Sequence, residues 1–304
     1  MERNELVSEI LKLKEEKNAL ILAHNYQIPE IQDLADYVGD SLLLSKLAAE
    51  TEKKVIVFCG VHFMAESAKI LSPDKKVYLP AADAGCPMAD MITGEDLREY
   101  KAMNPDRVIV TYVNSSADVK ANSDICCTSS NALKIIESLD SNKILFAPDK
   151  NLGAYISSKM PDKDVELWNG FCITHERVNT DEVSQIRSRK PGVEVLVHPE
   201  CNPSIVALAD FVGSTSQIID YVKSSNDKEF IIGTEMGILH SLRKASPGKK
   251  FHLLSASLIC YNMKKTSLED VYNVLKNEVN EINVEESIRE KAYSALKKMI
   301  DVND

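Results

Sequence analysis

The sequence predicts an α/β fold of three pseudo-threefold-related units, each a parallel sheet between helices, around a central site and followed by a helical C-terminal tail. Two observations predict this fold. Short apolar runs alternate with helix-compatible stretches, and the chain matches itself when it is shifted by 88 and by 174 residues. Alternating strands and helices favour parallel sheets joined by right-handed crossovers. Self-similarity at a fixed spacing indicates a repeat architecture.

Eight short apolar runs, mostly rich in Val, Ile or Leu and bounded by turn-forming residues, predict the buried strands. They are residues 19–23, 54–58, 76–79, 107–113, 144–147, 193–197, 230–232 and 251–254. Helix-compatible segments lie between them, among them residues 40–50, 64–71, 129–138 and 215–224.

The self-comparison aligns three copies of one α/β unit. Two columns carry similar polar residues in every copy: Asp36, Asp124 and Asp210 in one, and Ser41, Ser129 and Thr215 in the other. The copies predict three domains at residues 1–85, 86–171 and 172–260. The remaining residues, 261–304, predict a helical tail that packs on the first copy.

Composition and charge exclude several classes of protein. The chain has 304 residues and a formal net charge of −10, without an extended basic run, so nucleic acid is not its expected main partner. No apolar run approaches the roughly 20 residues that span a bilayer, and the charged N-terminus lacks a signal-peptide core. We therefore expect a cytoplasmic protein without membrane partners, in which one locally positive pocket can still bind a small anion.

Polar residues follow the first predicted strand of each copy, where ligands bind in open α/β sheets. They are His24 and Tyr26, Tyr112 and Asn114, and His198 and Glu200. A hydroxyl at a helix start is usually an N-cap, but three at equivalent positions favour a pocket for several anions at converging helix N-termini. Burial would raise the pKa of Glu200 towards an acid/base role, although a solvated carboxylate is an equal alternative.

Three of the seven cysteines stand apart from the rest. The shift of 174 carries Cys86 onto Cys260, and Cys172 lies two residues from the middle position. Three converging thiolates need a cation, either zinc or an iron–sulfur cluster. A [4Fe–4S] cluster held by three cysteines leaves one iron open as a Lewis acid. His175 is a candidate fourth ligand, substrate contact or exposed polar residue, and the other four cysteines are expected to be buried apolar residues.

Motifs that run along nearly the whole chain resemble the quinolinate synthase family. They are Ala23-His24-Asn25-Tyr26-Gln27, Gly39-Asp40-Ser41, Cys86-Pro87-Met88-Ala89, Tyr112-Val113-Asn114-Ser115, Thr128-Ser129-x-Asn131, Pro148-Asp149-Lys150-Asn151-Leu152-Gly153, Cys172-x-x-His175, His198-Pro199-Glu200-Cys201, Gly213-Ser214-Thr215, Gly233-Thr234-Glu235 and Cys260-x-x-Met263-Lys264. The segment after Cys260 departs from a Cys-x-x-Cys-x-x-Cys arrangement found in many relatives, so no thiol switch is expected there.

The resemblance implies a transferase of NAD biosynthesis that condenses iminoaspartate with dihydroxyacetone phosphate to quinolinate, phosphate and water. It implies functional coupling to an aspartate-oxidising enzyme and an oxygen-sensitive [4Fe–4S] cluster on Cys86, Cys172 and Cys260. Tyr26, His175 and Glu200 resemble the groups that move protons. The implied substrate-binding residues are His24, Ser41, Tyr112, Val113, Asn114, Ser129, His198, Pro199, Glu200 and Thr215.

Three other functions remain open from the residues alone. They are a three-domain binding protein with a structural zinc ion, an iron–sulfur hydro-lyase acting on another small hydroxy acid, and an iron–sulfur redox carrier. A pure electron carrier more often has four cysteine ligands, which favours the enzyme readings.

Overall fold

Three four-stranded parallel sheets organise the chain, which the structure, a computed structural model, describes over residues 2–302. Each sheet has the strand order second, first, third, fourth, so the first and third strands of each set lie at its centre. The predicted α/β class and all eight predicted strands are confirmed. We call each sheet with its flanking helices a unit.

The three units follow one another along the chain. The first contains α1 (Arg3–Glu16), β1 (Ala19–His24), α2 (Pro29–Leu34), β2 (Tyr37–Gly39), α3 (Ser41–Glu50), β3 (Val55–Cys59), α4 (His62–Leu71) and β4 (Lys76–Tyr78). The second contains α5 (Gly94–Met103), β5 (Val108–Tyr112), α6 (Ala117–Ala121), β6 (Ile125–Cys127), α7 (Ala132–Glu137), β7 (Lys143–Ala147), α8 (Lys150–Lys159) and β8 (Asp164–Leu167).

The third unit has one helix more than the others. It contains α9 (Ile173–Glu176), α10 (Thr180–Arg189), β9 (Glu194–Val197), α11 (Pro203–Val206), β10 (Phe211–Val212), α12 (Thr215–Ser224), β11 (Glu229–Gly233), α13 (Ile238–Ala245) and β12 (Lys250–Leu253). Every sheet lies within one predicted domain, and the domain boundaries themselves stay predictions.

Alternate residues of the central strands enter two different cores. In β1, Leu20 and Leu22 face a large core that the three sheets share, whereas Ile21 belongs to a separate core on the outer face. In β9, Leu196 joins the same shared core and Val195 joins the outer core of the third unit. Because successive side chains of a strand point to opposite faces, both faces of each sheet are covered and the inner faces pack against one another.

The repeated aspartates fix the same local structure in each unit. Each carboxylate accepts a hydrogen bond from a backbone N–H of the first strand of its unit. It also lies beside a cationic side chain of the helix that precedes this strand. The backbone bonds join Asp36 to Ile21 at 2.8 Å, Asp124 to Ile109 at 2.7 Å and Asp210 to Val195 at 2.8 Å. The cations are Lys14, Lys101 and Arg187. The sequence repeat is therefore also a structural repeat.

The tail forms two helices that contact different units. The helix α14 (Leu268–Asn277) packs on α1 and β3 of the first unit. The helix α15 (Glu286–Asp301) packs on α6 and β6 of the second unit and on α4 of the first. The tail was expected to pack on the first copy, which α14 and part of α15 contact. The apolar face of α15, which includes Leu296 and Met299, also joins the core that all three units share. Residues 303 and 304 of the predicted tail, and residue 1, lie outside the described residues.

Within residues 2–302, none of the helices is both long enough and apolar enough to cross a membrane.

Candidate active site

A cavity of about 1050 Å³, part of it open to solvent, lies where the carboxyl ends of the sheets meet. The last residues of β1 and β5, His24 and Tyr112, and Glu200 from the loop after β9 belong to its wall. All of the predicted site residues line this cavity except Val113 and Pro199. Val113 is buried in the shared core, and the ring of Pro199 lines a separate surface groove.

None of the three repeated hydroxyls is a helix cap. Asp40 caps α3 by accepting from the backbone N–H of Leu43 at 3.0 Å, and Ser214 caps α12. The hydroxyls of Ser41 and Thr215, one residue further on, therefore remain for the cavity that they line. The N-cap interpretation is wrong for these two residues.

The third repeated hydroxyl, Ser129, lies in a turn that precedes α7 rather than at the helix start. Its neighbour Ser130 joins the three units. The Ser130 hydroxyl donates to Asp40 Oδ2 at 2.6 Å and lies 2.9 Å from the Ser214 hydroxyl. The N-termini of α3 and α12 and the turn before α7 therefore meet at one hydrogen-bonded centre, as the repeat predicts.

His24 and His198 are neutral hydrogen-bond donors. Burial lowers the pKa of each imidazole to about 4. His24 Nδ1 accepts from the backbone N–H of Tyr26 at 3.1 Å, and His198 Nδ1 accepts from that of Glu200 at 3.2 Å. Because Nδ1 is an acceptor, the proton of each neutral ring is on Nε2. The Nε2 atom of His198 lies 3.2 Å from the hydroxyl of Ser129.

A continuous hydrogen-bond chain connects Tyr26 to Glu200. The Tyr26 hydroxyl lies 2.6 Å from Thr234 Oγ1, which in turn lies 2.9 Å from His175 Nε2. The other ring nitrogen of His175 lies 2.8 Å from Glu200 Oε2, and the Tyr112 hydroxyl donates to Glu200 Oε1 at 2.7 Å. This order of donors and acceptors can pass a proton from the phenol to an imidazole that a carboxylate holds in place.

The pKa of Glu200 lies below its usual range, so the expected upward shift is wrong. Burial by itself raises this pKa, but the neighbouring His198 and the hydrogen bonds from His175 and Tyr112 lower it further than burial raises it. Glu200 is therefore an anion that orients its donors. Burial raises the pKa of Tyr26 well above its usual value, so the phenol at the other end of the chain holds its proton at neutral pH.

The cavity also contains an unsatisfied polar atom. The side-chain oxygen of Asn114 is buried and accepts no hydrogen bond from the described residues, while its Nδ2 lies 3.4 Å from Glu200. Buried acceptors are nearly always paired in folded proteins. A ligand N–H or O–H group would satisfy this atom.

Three thiols line the same cavity with similar local geometry. A short helical turn follows each of Cys86, Cys172 and Cys260. The sulfur of each accepts a hydrogen bond from the backbone N–H three residues further on, which belongs to Ala89, His175 and Met263. Such bonds favour thiolates, but burial raises the pKa of all three thiols, that of Cys86 to about 12. Burial therefore disfavours the negative charge of three thiolates. A cation bound among the sulfurs would balance that charge.

A second set of potential metal ligands overlaps the first. Ligand atoms of Cys172, His175 and Glu200 lie within 4.8 Å of one another. His175 is almost fully buried, so the interpretation of it as an exposed helix-start residue is wrong. Both His175 nitrogens already have protein partners, which fits a proton-transfer residue better than a metal ligand.

Thr234 and Glu235, which follow β11, belong to a motif quoted from the sequence, but neither was predicted to be a site residue. Thr234 joins Tyr26 to His175, and the Glu235 carboxylate accepts from the backbone N–H of Cys260 at 3.1 Å and lies 2.9 Å from Lys264. Their position after a central strand was the available signal. The repeat could not find Thr234, because the other copies have Gly60 and Pro148 at that position.

The fold and the site together define a three-unit α/β protein whose cavity combines anion-binding donors, a proton-transfer chain and three convergent thiols. The family described as Quinolinate synthetase A protein matches residues 8–301. A quinolinate synthase of Caldicellulosiruptor bescii is 61% identical over 254 residues, 84% of each chain. One of Alkaliphilus metalliredigens is 61% identical over 259 residues, 85% of this chain and 86% of the relative. The chain belongs to the quinolinate synthase family, and it is an enzyme.

Proposed function

We propose that this enzyme condenses iminoaspartate with dihydroxyacetone phosphate to form quinolinate, phosphate and water, as a cytoplasmic transferase of NAD biosynthesis. One observation carries the proposal. A single cavity joins the Tyr26–Thr234–His175–Glu200 chain to the three thiols, with neutral donors from all three units in its wall. The proposed reaction requires proton transfers and the binding of two carboxylates. The hydrogen-bond chain can transfer the protons, and the neutral donors can bind the carboxylates.

The cofactor of the proposed reaction is a [4Fe–4S] cluster on Cys86, Cys172 and Cys260. Their partly buried sulfurs, each with a backbone N–H donor, fit a cationic iron cluster better than three free thiols. When bound, a cluster with three protein ligands supplies one open Lewis-acid iron for loss of a hydroxyl group.

The substrate carboxylates bind to neutral donors rather than to charged side chains. The Nε2–H groups of His24 and His198 and the hydroxyls of Ser41, Ser129 and Thr215 are available for this role. Neutral donors can hold a carboxylate in a buried site and still release the product, because no strong ion pair has to be broken.

The protons move along the chain that ends at Glu200. Loss of phosphate, tautomerisation and dehydration each require a proton to be moved. Tyr26 donates to or accepts from the substrate, Thr234 passes the proton on, and His175 receives it. The Glu200 carboxylate stabilises the imidazolium that forms and does not itself leave the ionised state.

The chemistry of iminoaspartate favours coupling to the enzyme that makes it. An imine hydrolyses in water, so an aspartate-oxidising enzyme close to the cavity would limit this loss. We therefore propose an aspartate-oxidising enzyme as the functional partner of this protein.

A second candidate, an iron–sulfur hydro-lyase, shares the cluster and the proton chain. A test that separates the functions begins with anaerobic purification, iron and sulfide analysis and a visible spectrum. We expect a brown protein with about four irons per chain, lost in Cys86→Ser, Cys172→Ser and Cys260→Ser but kept in Cys59→Ala, whose thiol lies in the outer core of the first unit.

The brown protein should then form quinolinate from iminoaspartate, generated in solution from oxaloacetate and ammonia, and dihydroxyacetone phosphate. A colourless protein with one zinc ion would overturn the proposed cofactor. A fully loaded cluster that gives no quinolinate would favour the hydro-lyase. Reversible electron transfer that survives Glu200→Gln would instead indicate a redox carrier.

A further inference from the structure

Arg177 is a cationic residue at the cavity that has no part in the proposed cluster binding, carboxylate binding or proton transfer. It follows α9, it lines the cavity, and it is exposed to solvent. Among residues 2–302, no carboxylate, carbonyl or aromatic ring pairs with its guanidinium. The neighbouring cation Lys150 differs, because it lies 3.3 Å from Glu176 and over the ring of Phe171.

Arg177 supplies positive charge to a cavity wall that otherwise carries carboxylates and neutral groups. The carboxylates of Asp40, Glu200 and Glu235 line the cavity, and Lys264 balances that of Glu235. Arg177 is the single arginine or lysine among the described lining residues. His24 and His198 add no positive charge at neutral pH, because burial lowers their pKa to about 4. The whole chain carries a formal net charge of −10. A doubly charged phosphate ester would therefore meet net repulsion without this guanidinium.

We infer that Arg177 binds the phosphate group of dihydroxyacetone phosphate at the entrance of the cavity. The inference rests on the proposed function and adds a subsite to it. A guanidinium is planar and offers paired N–H donors that match two phosphate oxygens. Since the guanidinium has no partner within residues 2–302, binding breaks no ion pair of the described structure.

The position of Arg177 fits the phosphate better than it fits the carboxylates. The carboxylates remain in the product, and the buried donors of His24, His198 and Thr215 suit groups that stay inside the cavity. The phosphate leaves during the reaction, so its binding site belongs at the solvent side, where Arg177 is exposed. One short segment then has three roles: Cys172 binds the metal cluster, His175 transfers a proton and Arg177 binds the leaving phosphate.

The test compares Arg177→Gln with Arg189→Gln. Arg189 is an exposed arginine of the same unit that does not line the cavity. In the cluster-loaded enzyme, Arg177→Gln should raise KM for dihydroxyacetone phosphate by about 10-fold to 100-fold, with KM for iminoaspartate and the iron content unchanged. Arg177→Lys should recover part of the loss, because it restores the charge without the paired donors. Arg189→Gln should match the wild type.

A binding measurement separates this inference from the proposed function. Calorimetric titration of the loaded protein with inorganic phosphate should show binding that Arg177→Gln weakens by a similar factor and that Arg189→Gln retains. Unchanged phosphate affinity in Arg177→Gln, or a rise in KM for iminoaspartate instead, would overturn the phosphate subsite. If the wild type forms no quinolinate, the proposed function fails, and the phosphate titration still decides whether Arg177 is an anion site.

Discussion

Glu200 receives hydrogen bonds from two units although it is almost completely buried. Tyr112 of the second unit donates to one carboxylate oxygen, and His175 of the third unit contacts the other. An isolated carboxylate in such a place would be protonated, because burial disfavours its charge. These donors keep it ionised, which suits a group that orients His175.

Replacing this charge tests its role without disturbing the thiols. Glu200→Gln should lower kcat by about 100-fold to 10,000-fold, because the amide cannot stabilise an imidazolium at His175. The iron content and visible spectrum should stay as in the wild type. Glu229→Gln, a change at a partly exposed carboxylate away from the cavity, should leave both kcat and the spectrum unaltered. Loss of iron in Glu200→Gln would indicate a structural role at the metal site instead.

At the residue scale, the sequence predicted which side chains face the cavity better than it predicted their protonation. Strand ends and the repeat were enough to find His24, Tyr112 and His198. The pKa of Glu200 depends on partners that are far away in the sequence. The direction of its pKa shift could therefore not be predicted from the residues around it. Thr234 was missed for a similar reason, since its role depends on contacts with Tyr26 and His175.

At the scale of elements, the repeated aspartates join a helix, a strand and a loop. Asp36 accepts from the backbone N–H of Ile21 and pairs with Lys14 at 2.6 Å. Asp36→Ala should lower the free energy of unfolding by about 1–2 kcal/mol, because it leaves a strand N–H without its acceptor. Urea denaturation would measure the change.

A matched control separates this bond from a general effect of surface charge. Among the described residues Asp220 pairs only with Lys223, and its side chain is 72% exposed. Asp220→Ala should change the free energy of unfolding by less than about 0.5 kcal/mol. Equal effects of the two substitutions would contradict the structural role of Asp36.

The strands that sequence reasoning missed are all at sheet edges. They are β2, β6, β8 and β10, which have two to four residues. Such segments are too short for an apolar pattern, and β8 contains the charged residues Asp164 and Glu166. They are extended because a central strand offers them hydrogen bonds, for example from β5 to β6. Local sequence does not record this influence of the neighbouring strand.

At the scale of the whole molecule, the site exists only when the three units pack together. The shared inner core contains residues of all three sheets and of α15, and Ser130 links the second unit to Asp40 and Ser214 of the others. The repeat predicted this convergence. It could not predict the path of the tail, because α15 has no counterpart in the copies. Packing and site formation are therefore coupled, and the buried site residues affect global stability.

The two buried histidines of the site make the free energy of unfolding depend on pH. Burial lowers the pKa of His24 and His198 from 6.5 to about 4, while in the unfolded chain both return to the ordinary value. Between these values the unfolded state binds more protons than the folded state. The stabilisation is therefore complete above about pH 6.5 and is lost as the pH falls towards about 4. The slope is at most about 1.4 kcal/mol per pH unit for each histidine.

Urea denaturation of the metal-free, reduced protein at several values between about pH 7 and about pH 5 would measure this slope. Over that range Glu200 stays ionised in both states, because its folded pKa is lowered and its unfolded pKa is ordinary, so the carboxylate contributes little there. His24→Gln and His198→Gln should each flatten the slope, since each removes one group that titrates only after unfolding. His62→Gln, at a half-exposed ring, should keep the wild-type slope. Equal slopes in all four proteins would show that the imidazoles reach water in the folded state, and the neutral Nε2–H donors assigned to the cavity would then be wrong.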